Sequence, residues 1–140
     1  MRLLPWLPVA AAALVAVAGC RAPGPGKGRM RAANRAAEAA GLPELLRYPG
    51  GLVKDVVSRQ YDSLPATVYR ITTRDPAELV LARYRKALSG WREFTPANIE
   101  RTKLAAGFRH PTDGRLVIIE TFARRPRATN VTVICAGSGW

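Results

Sequence analysis

Apolar residues recur at steps of three and four between residues 77 and 88, the spacing that places side chains on one face of a helix. Asp75 precedes this stretch as a candidate N-cap, with Pro76 at the first helical position and Glu78 placed to reach back toward the cap. Gly90 marks its end. The apolar stripe consists of Ala77, Val80, Leu81, Tyr84, Ala87 and Leu88. The pattern predicts that this segment is the main helix.

Six stretches rich in β-branched or aromatic residues predict short strands. They cover residues 52–57, 67–73, 91–94, 103–109, 115–122 and 129–135. The sequence Pro-Thr-Asp-Gly at residues 111–114 signals a tight turn, and the connection at residues 124–128 is too short for a parallel crossover. We therefore expect an α+β fold, in which an antiparallel sheet of five to six strands carries one main helix on one face as a two-layer sandwich.

Residues 20–44 differ in composition from the rest of the chain. From residue 20 to residue 35 there are five basic residues, no acidic ones and a run of alternating Gly and Pro, which predicts a flexible basic linker. Residues 32–47 are rich in alanine and predict a short helix, interrupted at Gly41-Leu42-Pro43 and stopped by Tyr48-Pro49-Gly50-Gly51. With the boundary of the folded domain near residue 45, the chain divides into residues 1–19, 20–44 and 45–140.

The first 19 residues have the pattern of an export signal. A positive start at Arg2 precedes an apolar run that ends in the small residues Ala18 and Gly19, as in secretory signals generally. Pro5 and Pro8 argue against a continuous spanning helix, and the run is short for the ~20 residues that such a helix needs. An uncleaved anchor helix and a plain secretory signal that has a cysteine near its cut site are the alternatives.

The sequence Val17-Ala18-Gly19-Cys20 resembles the lipobox of bacterial lipoproteins. The resemblance implies cleavage between Gly19 and Cys20, a diacylglyceryl group on the Cys20 thiol, and often acylation of the new amino terminus. Each buried methylene contributes about 0.8 kcal/mol, so one chain binds a membrane marginally whereas two or three give lasting anchorage. Arg21 stands where aspartate signals inner-membrane retention in enterobacterial lipoproteins, so the resemblance implies the outer membrane, facing the periplasm, in a two-membrane bacterium.

Two short sequences carry a second resemblance. Tyr48-Pro49-Gly50-Gly51 precedes the first predicted strand, and Leu88-Ser89-Gly90-Trp91 follows the main helix. With the order of elements from about residue 48 to residue 134, they are similar to small bacterial lipoprotein domains of uncharacterised function. This resemblance implies the α+β fold and carries no catalytic residues.

Composition limits the size and the chemistry of the protein. A chain of 140 residues suits one modest domain, and two cysteines are too few for a disulfide-rich scaffold or a four-thiolate zinc site. Lys and Arg total 22 against 10 Asp and Glu, a net charge of +12 with a pI of about 11.0. Removal of residues 1–19 takes away only Arg2 among charged side chains, so the mature protein is expected to stay strongly cationic.

Residues with catalytic or metal-binding potential are few and scattered. His110 is the only histidine, and its place at a strand end predicts a structural role. Cys135 shares a strand face with Val131 and Val133 and is predicted to be buried, so a nucleophilic pair with His110 is not favoured. Glu120 interrupts an apolar strand; we expect it to pair with an arginine or to mark the strand edge, with a functional carboxylate as the alternative. We predict no enzyme activity, cofactor or metal.

One face of the predicted sheet is a candidate interaction surface. Strand alternation predicts that residues such as Tyr69, Ile71 and Phe108 face the helix. The opposite face would then show Arg70, Thr72, Lys103, Arg109, Val117, Ile119, Asn130 and Thr132. The candidate interaction residues are Arg70, Lys103, Arg109, Val117 and Ile119. The alternative is that the N-terminal helix, residues 32–46, covers this face.

The lipobox and the lack of a reactive set of side chains predict a non-catalytic, lipid-anchored protein of the cell envelope. Its N-terminal lipid would bind the membrane, and its sheet face would bind an envelope protein or a second copy of the chain. The alternative is a cationic binder of anionic lipids or envelope polymers. No nucleic acid partner is expected, because export separates the protein from most nucleic acid and aromatic residues are not interleaved with the basic ones.

Overall fold

A computed structural model of the chain describes residues 26–97, 103–125 and 127–140. The predicted signal and Cys20 lie outside the described residues. The helices are α1 (Lys27–Ala39) and α2 (Ala77–Ala87), with a short 3-10 turn at Glu44–Leu46. The strands are β1 (Leu52–Tyr61), β2 (Leu64–Thr73), β3 (Arg92–Phe94), β4 (Leu104–Arg109), β5 (Leu116–Arg125) and β6 (Ala128–Ala136).

The strands form one antiparallel six-stranded sheet in the order β1-β2-β6-β5-β4-β3. The predicted α+β class is confirmed. Short turns join β1 to β2 and β4 to β5; the first has positive φ at Asp62 and Ser63, and the second has φ +72° at Gly114, geometries that match tight hairpins. The chain must cross the sheet between β2 and β3, which lies at the far edge, and α2 makes that crossing.

The main core lies between the sheet and α2. On the helix, Val80, Leu81, Tyr84 and Leu88 of the predicted apolar stripe are buried, as is Ala77, whereas Ala87 is exposed. From the sheet they meet alternate residues of the central strands, namely Tyr69, Ile71, Ala106, Phe108, Val117, Ile119, Val131, Val133 and Cys135. The period of 3.6 on the helix and of 2 on the strands thus produces one contiguous core.

The segment before the sheet packs on the same side as α2. Ala37, Leu42 and Leu46 belong to the main core, and the Tyr69 hydroxyl donates to the Gly41 carbonyl at 3.1 Å. The N-terminal helix therefore does not cover the opposite face of the sheet. We call α1, the 3-10 turn and α2 together the helix layer.

Helix α1 begins at Lys27, five residues before the predicted start at Ala32. The part of the predicted flexible linker from Lys27 to Arg35 is helical instead. Arginine, methionine and alanine are good helix formers, and they outweigh Gly28 in the first turn. Burial of Ala33 and Ala37 adds tertiary contacts that the local composition does not reveal.

The predicted cap of α2 is wrong. The structure places Pro76 at the N-cap, with no side-chain cap hydrogen bond. The Asp75 carboxylate instead accepts a hydrogen bond of 2.6 Å from the Tyr48 hydroxyl, while the Asp75 amide donates to Thr73 Oγ1 at 3.3 Å. The carboxylate that the local pattern assigned to the helix end is therefore bonded to Tyr48, a residue 27 positions away in the sequence.

Candidate functional site

The candidate site lies on the sheet face that the helix layer leaves uncovered, which we call the open face. Strand register places Arg70, Thr132 and Glu120 in one row across it, and Thr72, Asn130 and Phe122 in the next. These rows line a groove of about 580 Å³. We define the open-face groove by Lys54, Arg70, Thr72, Lys103, Glu120, Phe122, Asn130 and Thr132.

A β-bulge brings Lys54 into the groove. The register of β1 with β2 shifts between Val53 and Asp55, so Lys54 has no partner residue across the ladder. An extra residue in one strand changes the direction in which its side chain points. Lys54 consequently joins the groove lining, although it stands on the exposed edge strand.

The groove carries more positive than negative charge. Among the described residues that line it, Lys54, Arg70 and Lys103 are cations and Glu120 is a carboxylate. Arg70 Nη1 lies 3.4 Å from Asp55 Oδ2, with both side chains about half exposed, so this ion pair contributes little. The groove therefore favours ligands that bring carboxylates or phosphates.

An apolar patch adjoins the groove on the same face. Ala66, Leu116 and Ala136 are buried there, and half-buried Tyr61, Leu64, Phe94 and Ile134 pack on them. The Phe94 ring lies against Gly107, where an added Cβ would come within 2.5 Å of Phe94 Cζ. The lack of a side chain at Gly107 thus allows the Phe94 ring to approach the strand backbone closely. We call these residues the open-face apolar patch.

Three of the five predicted interaction residues lie on this face. Arg70 and Lys103 line the groove. Arg109 stands opposite Leu116 beside the apolar patch, with its guanidinium carbon 6.0 Å from the centroid of the Phe94 ring.

The assignment of Val117 and Ile119 to the open face is wrong. Both side chains are 0% exposed and lie in the main core beneath α2. Every residue from 116 to 119 is apolar, so the alternation of β5 does not reveal which side faces inward. Pairing of Val117 with Cys135 and of Ile119 with Val133 fixes the face.

The same register corrects the position of Glu120. Glu120 shares one side of β5 with Leu116, Ile118 and Phe122, and this side is the open face, where the carboxylate lines the groove. Lys54, Glu120 and Phe122 are groove residues that the predicted interaction set omits. For Glu120 and Phe122 the only sequence signal is the parity of β5, which its register with β6 determines, and for Lys54 the β1 sequence carries no signal of the bulge.

The observed contacts of His110 and Cys135 are with other residues and do not join the two side chains as a reactive pair. His110 Nδ1 lies 3.1 Å from Asp113 Oδ1, and the ring meets Trp91 edge-on at 4.8 Å between centroids. Cys135 is buried in the main core, and this burial raises the pKa of its thiol to about 12. A protonated, inaccessible thiol is a poor nucleophile.

The site is an exposed groove and an adjoining apolar patch on one face of the sheet. Comparison with protein-family models, curated proteins and solved structures found no match. Among the described residues, no helix has the length and hydrophobicity needed to cross a membrane. Within the same part of the chain, no three His, Cys, Asp or Glu side chains converge as a metal site would require.

Proposed function

We propose that this chain is a non-catalytic, lipid-anchored protein of the cell envelope whose open face binds a protein partner. The observation that carries the proposal is a sheet face that the described helices leave uncovered, on which a basic groove adjoins an apolar patch. Protein interfaces combine an apolar centre with charged and polar surroundings in this way. The tether is the lipidated Cys20 that the lipobox resemblance implies.

The charge of the groove favours one kind of protein partner. Two copies that paired groove to groove about a two-fold axis would bring the Lys54 and Arg70 side chains of one copy toward those of the other, and like charges oppose such pairing. A partner segment with exposed carboxylates would be attracted. We therefore propose an acidic envelope protein in preference to a homodimer.

The second candidate function is binding of an anionic envelope polymer. It is favoured by the excess of cations over carboxylates among the described residues that line the groove. A polymer held mainly by charge should dissociate as salt rises, because the Debye length falls from about 10 Å at 0.1 M to about 3 Å at 1 M. A protein partner that also buries the apolar patch should be retained at high salt.

The tether is tested by Cys20→Ala, with Cys135→Ala as the matched cysteine control. We expect Cys20→Ala to lose the acyl groups by mass spectrometry and to leave the membrane fraction, whereas Cys135→Ala keeps both. A Cys20→Ala protein that is still cleaved and membrane-bound would contradict the anchor.

The docking face is tested by crosslinking in cells with Lys54→Glu and Arg70→Glu combined. We expect this variant to lose the crosslinked partner. Arg74→Glu, in the exposed segment between β2 and α2 and outside the groove lining, serves as a control for charge reversal elsewhere. Crosslinks that survive in the groove variant, or that disappear equally in the control, would refute the open face as the docking site.

A further inference from the structure

A second concavity lies on the outer surface of the helix layer, on the other side of the molecule from the groove. Its volume is about 410 Å³, and it lies where the 3-10 turn meets the C-terminal half of α2. We call it the helix-layer cleft and define it by Leu45, Arg47, Tyr48, Pro49, Arg83, Tyr84, Lys86 and Ala87. Its lining combines apolar and aromatic side chains with three cations.

The cations of the cleft are only lightly neutralised. Arg47 donates through Nε to the Leu42 carbonyl, an uncharged partner. Arg83 Nη2 lies 3.8 Å from the Asp75 carboxylate, which also accepts from a tyrosine hydroxyl. Lys86 has no carboxylate within 4.0 Å among the described residues. The cleft therefore presents positive charge to solvent.

Exposed leucines accompany these cations. Leu45 is 46% exposed in the cleft, and Leu79 is 39% exposed on α2. Leu79, Arg83 and Lys86 are spaced by four and three residues, so they form one stripe of the helix. Exposed apolar side chains among Lys and Arg are typical of surfaces that lie in the headgroup region of an anionic bilayer.

The position of the tether agrees with such a surface. Cys20 precedes Lys27, the first residue of α1, by seven residues, which span at most about 25 Å when fully extended. Since α1 belongs to the helix layer, an acyl group at Cys20 would hold that layer near the leaflet.

We propose that the helix-layer cleft is a membrane-contact surface that binds anionic phospholipid headgroups. The helices then lie against the leaflet, and the open face points away from it toward its partner. This inference rests on the proposed lipid anchor for the proximity of the membrane. It adds a defined orientation, because the cleft and the open face lie on opposite sides of the sheet.

The experiment uses the full lipidated chain reconstituted in vesicles of phosphatidylcholine alone or with phosphatidylglycerol. Ala82→Cys places a polarity-sensitive fluorophore on the exposed stripe of α2, and Phe122→Cys places it on the open face. Quenching by headgroup-level spin-labelled lipid reports contact. We expect quenching at position 82 in phosphatidylglycerol vesicles only, and none at position 122 in either.

Charge reversals at matched lysines identify the surface. Lys86→Glu is expected to weaken vesicle contact about fivefold for each unit of charge removed, since a cation near a charged leaflet contributes about 1 kcal/mol. Lys54→Glu changes the net charge identically but lies in the open-face groove, so its effect should be less than about twofold. Equal losses from both substitutions would overturn the proposal in favour of diffuse attraction.

Two further outcomes would also overturn it. Absence of quenching at position 82 with phosphatidylglycerol would show that the helix layer does not contact the leaflet. Equal or stronger quenching at position 122 would show that the open face contacts it instead. Failure of the anchor is seen separately, as a free Cys20 thiol in mass spectrometry. In that case a Cys20→Ser chain mixed with the same vesicles still tests the cleft.

Discussion

The stability of the protein should depend on the Cys135 thiol at alkaline pH. Burial holds the pKa of this thiol at about 12, against 9.0 when it is exposed. Above pH 9 the unfolded chain releases the proton while the folded chain retains it, so the free energy of unfolding falls as pH rises. The loss is about 1.4 kcal/mol per pH unit across this window, which amounts to about 1.4 kcal/mol at pH 10 relative to pH 7.

Replacement of Cys135 by alanine removes this dependence. At pH 7 we expect Cys135→Ala to be less stable by about 1 kcal/mol, because a buried sulfur of methylene size is lost from a side chain that is 2% exposed. The difference should vanish at about pH 9.6 and be reversed at pH 10. Urea unfolding of both proteins between pH 7 and pH 10.5 measures it, since other titrating groups cancel in the comparison. Parallel pH profiles would refute burial of the thiol as the controlling factor.

Three further substitutions test the packing. Tyr84→Phe removes the hydroxyl that donates to the Leu46 carbonyl at 3.1 Å, and its urea midpoint should fall by the equivalent of about 1–2 kcal/mol; an unchanged midpoint would disprove that bond's contribution. Gly107→Ala should displace the Phe94 ring and cost about 1–3 kcal/mol in thermal denaturation, and a neutral result would show that the ring relaxes freely. Val117→Lys should unfold the domain, with loss of the circular dichroism signal of the native protein. A variant that stays folded would indicate that Val117 lies on the open face instead of in the core.

Local signals predicted those elements that a single stretch of chain determines. The main helix follows from the spacing of its apolar residues, and the turn between β4 and β5 follows from residues 111–114. Strand β1 is longer than predicted, reaching Tyr61 instead of residue 57. Its hairpin turns at Asp62 and Ser63, which lack the glycine that usually marks positive φ, so the sequence gives a weak signal there.

Tertiary interactions determined the features that the sequence did not predict. The carboxylate of Asp75 bonds to Tyr48, a distant residue that no capping rule considers. Which side of β5 faces the main core depends on its pairing with β6, because apolar residues occupy both of its sides.

The candidate site was predicted only in part for the same reason. Arg70 lies on β2, whose alternation is clear, and Lys103 directly precedes β4; the structure places both in the groove. Lys54 reaches the groove through a bulge that the sequence of β1 alone does not encode. Glu120 lies on the open face because of the register of β5 with β6. A surface formed from several strands requires their registers to be known before its residues can be named.

The central place of β6 has a consequence for biogenesis. This strand lies between β2 and β5, so before it arrives the β1–β2 hairpin and the β3–β4–β5 meander are separate pieces, each with an unpaired inner edge. A ribosome or translocon delivers the chain from its amino end, and β6 emerges after all its neighbours. Aggregation between nascent chains should therefore be most frequent just before β6 emerges, the interval in which a chaperone that shields strand edges would be of most use.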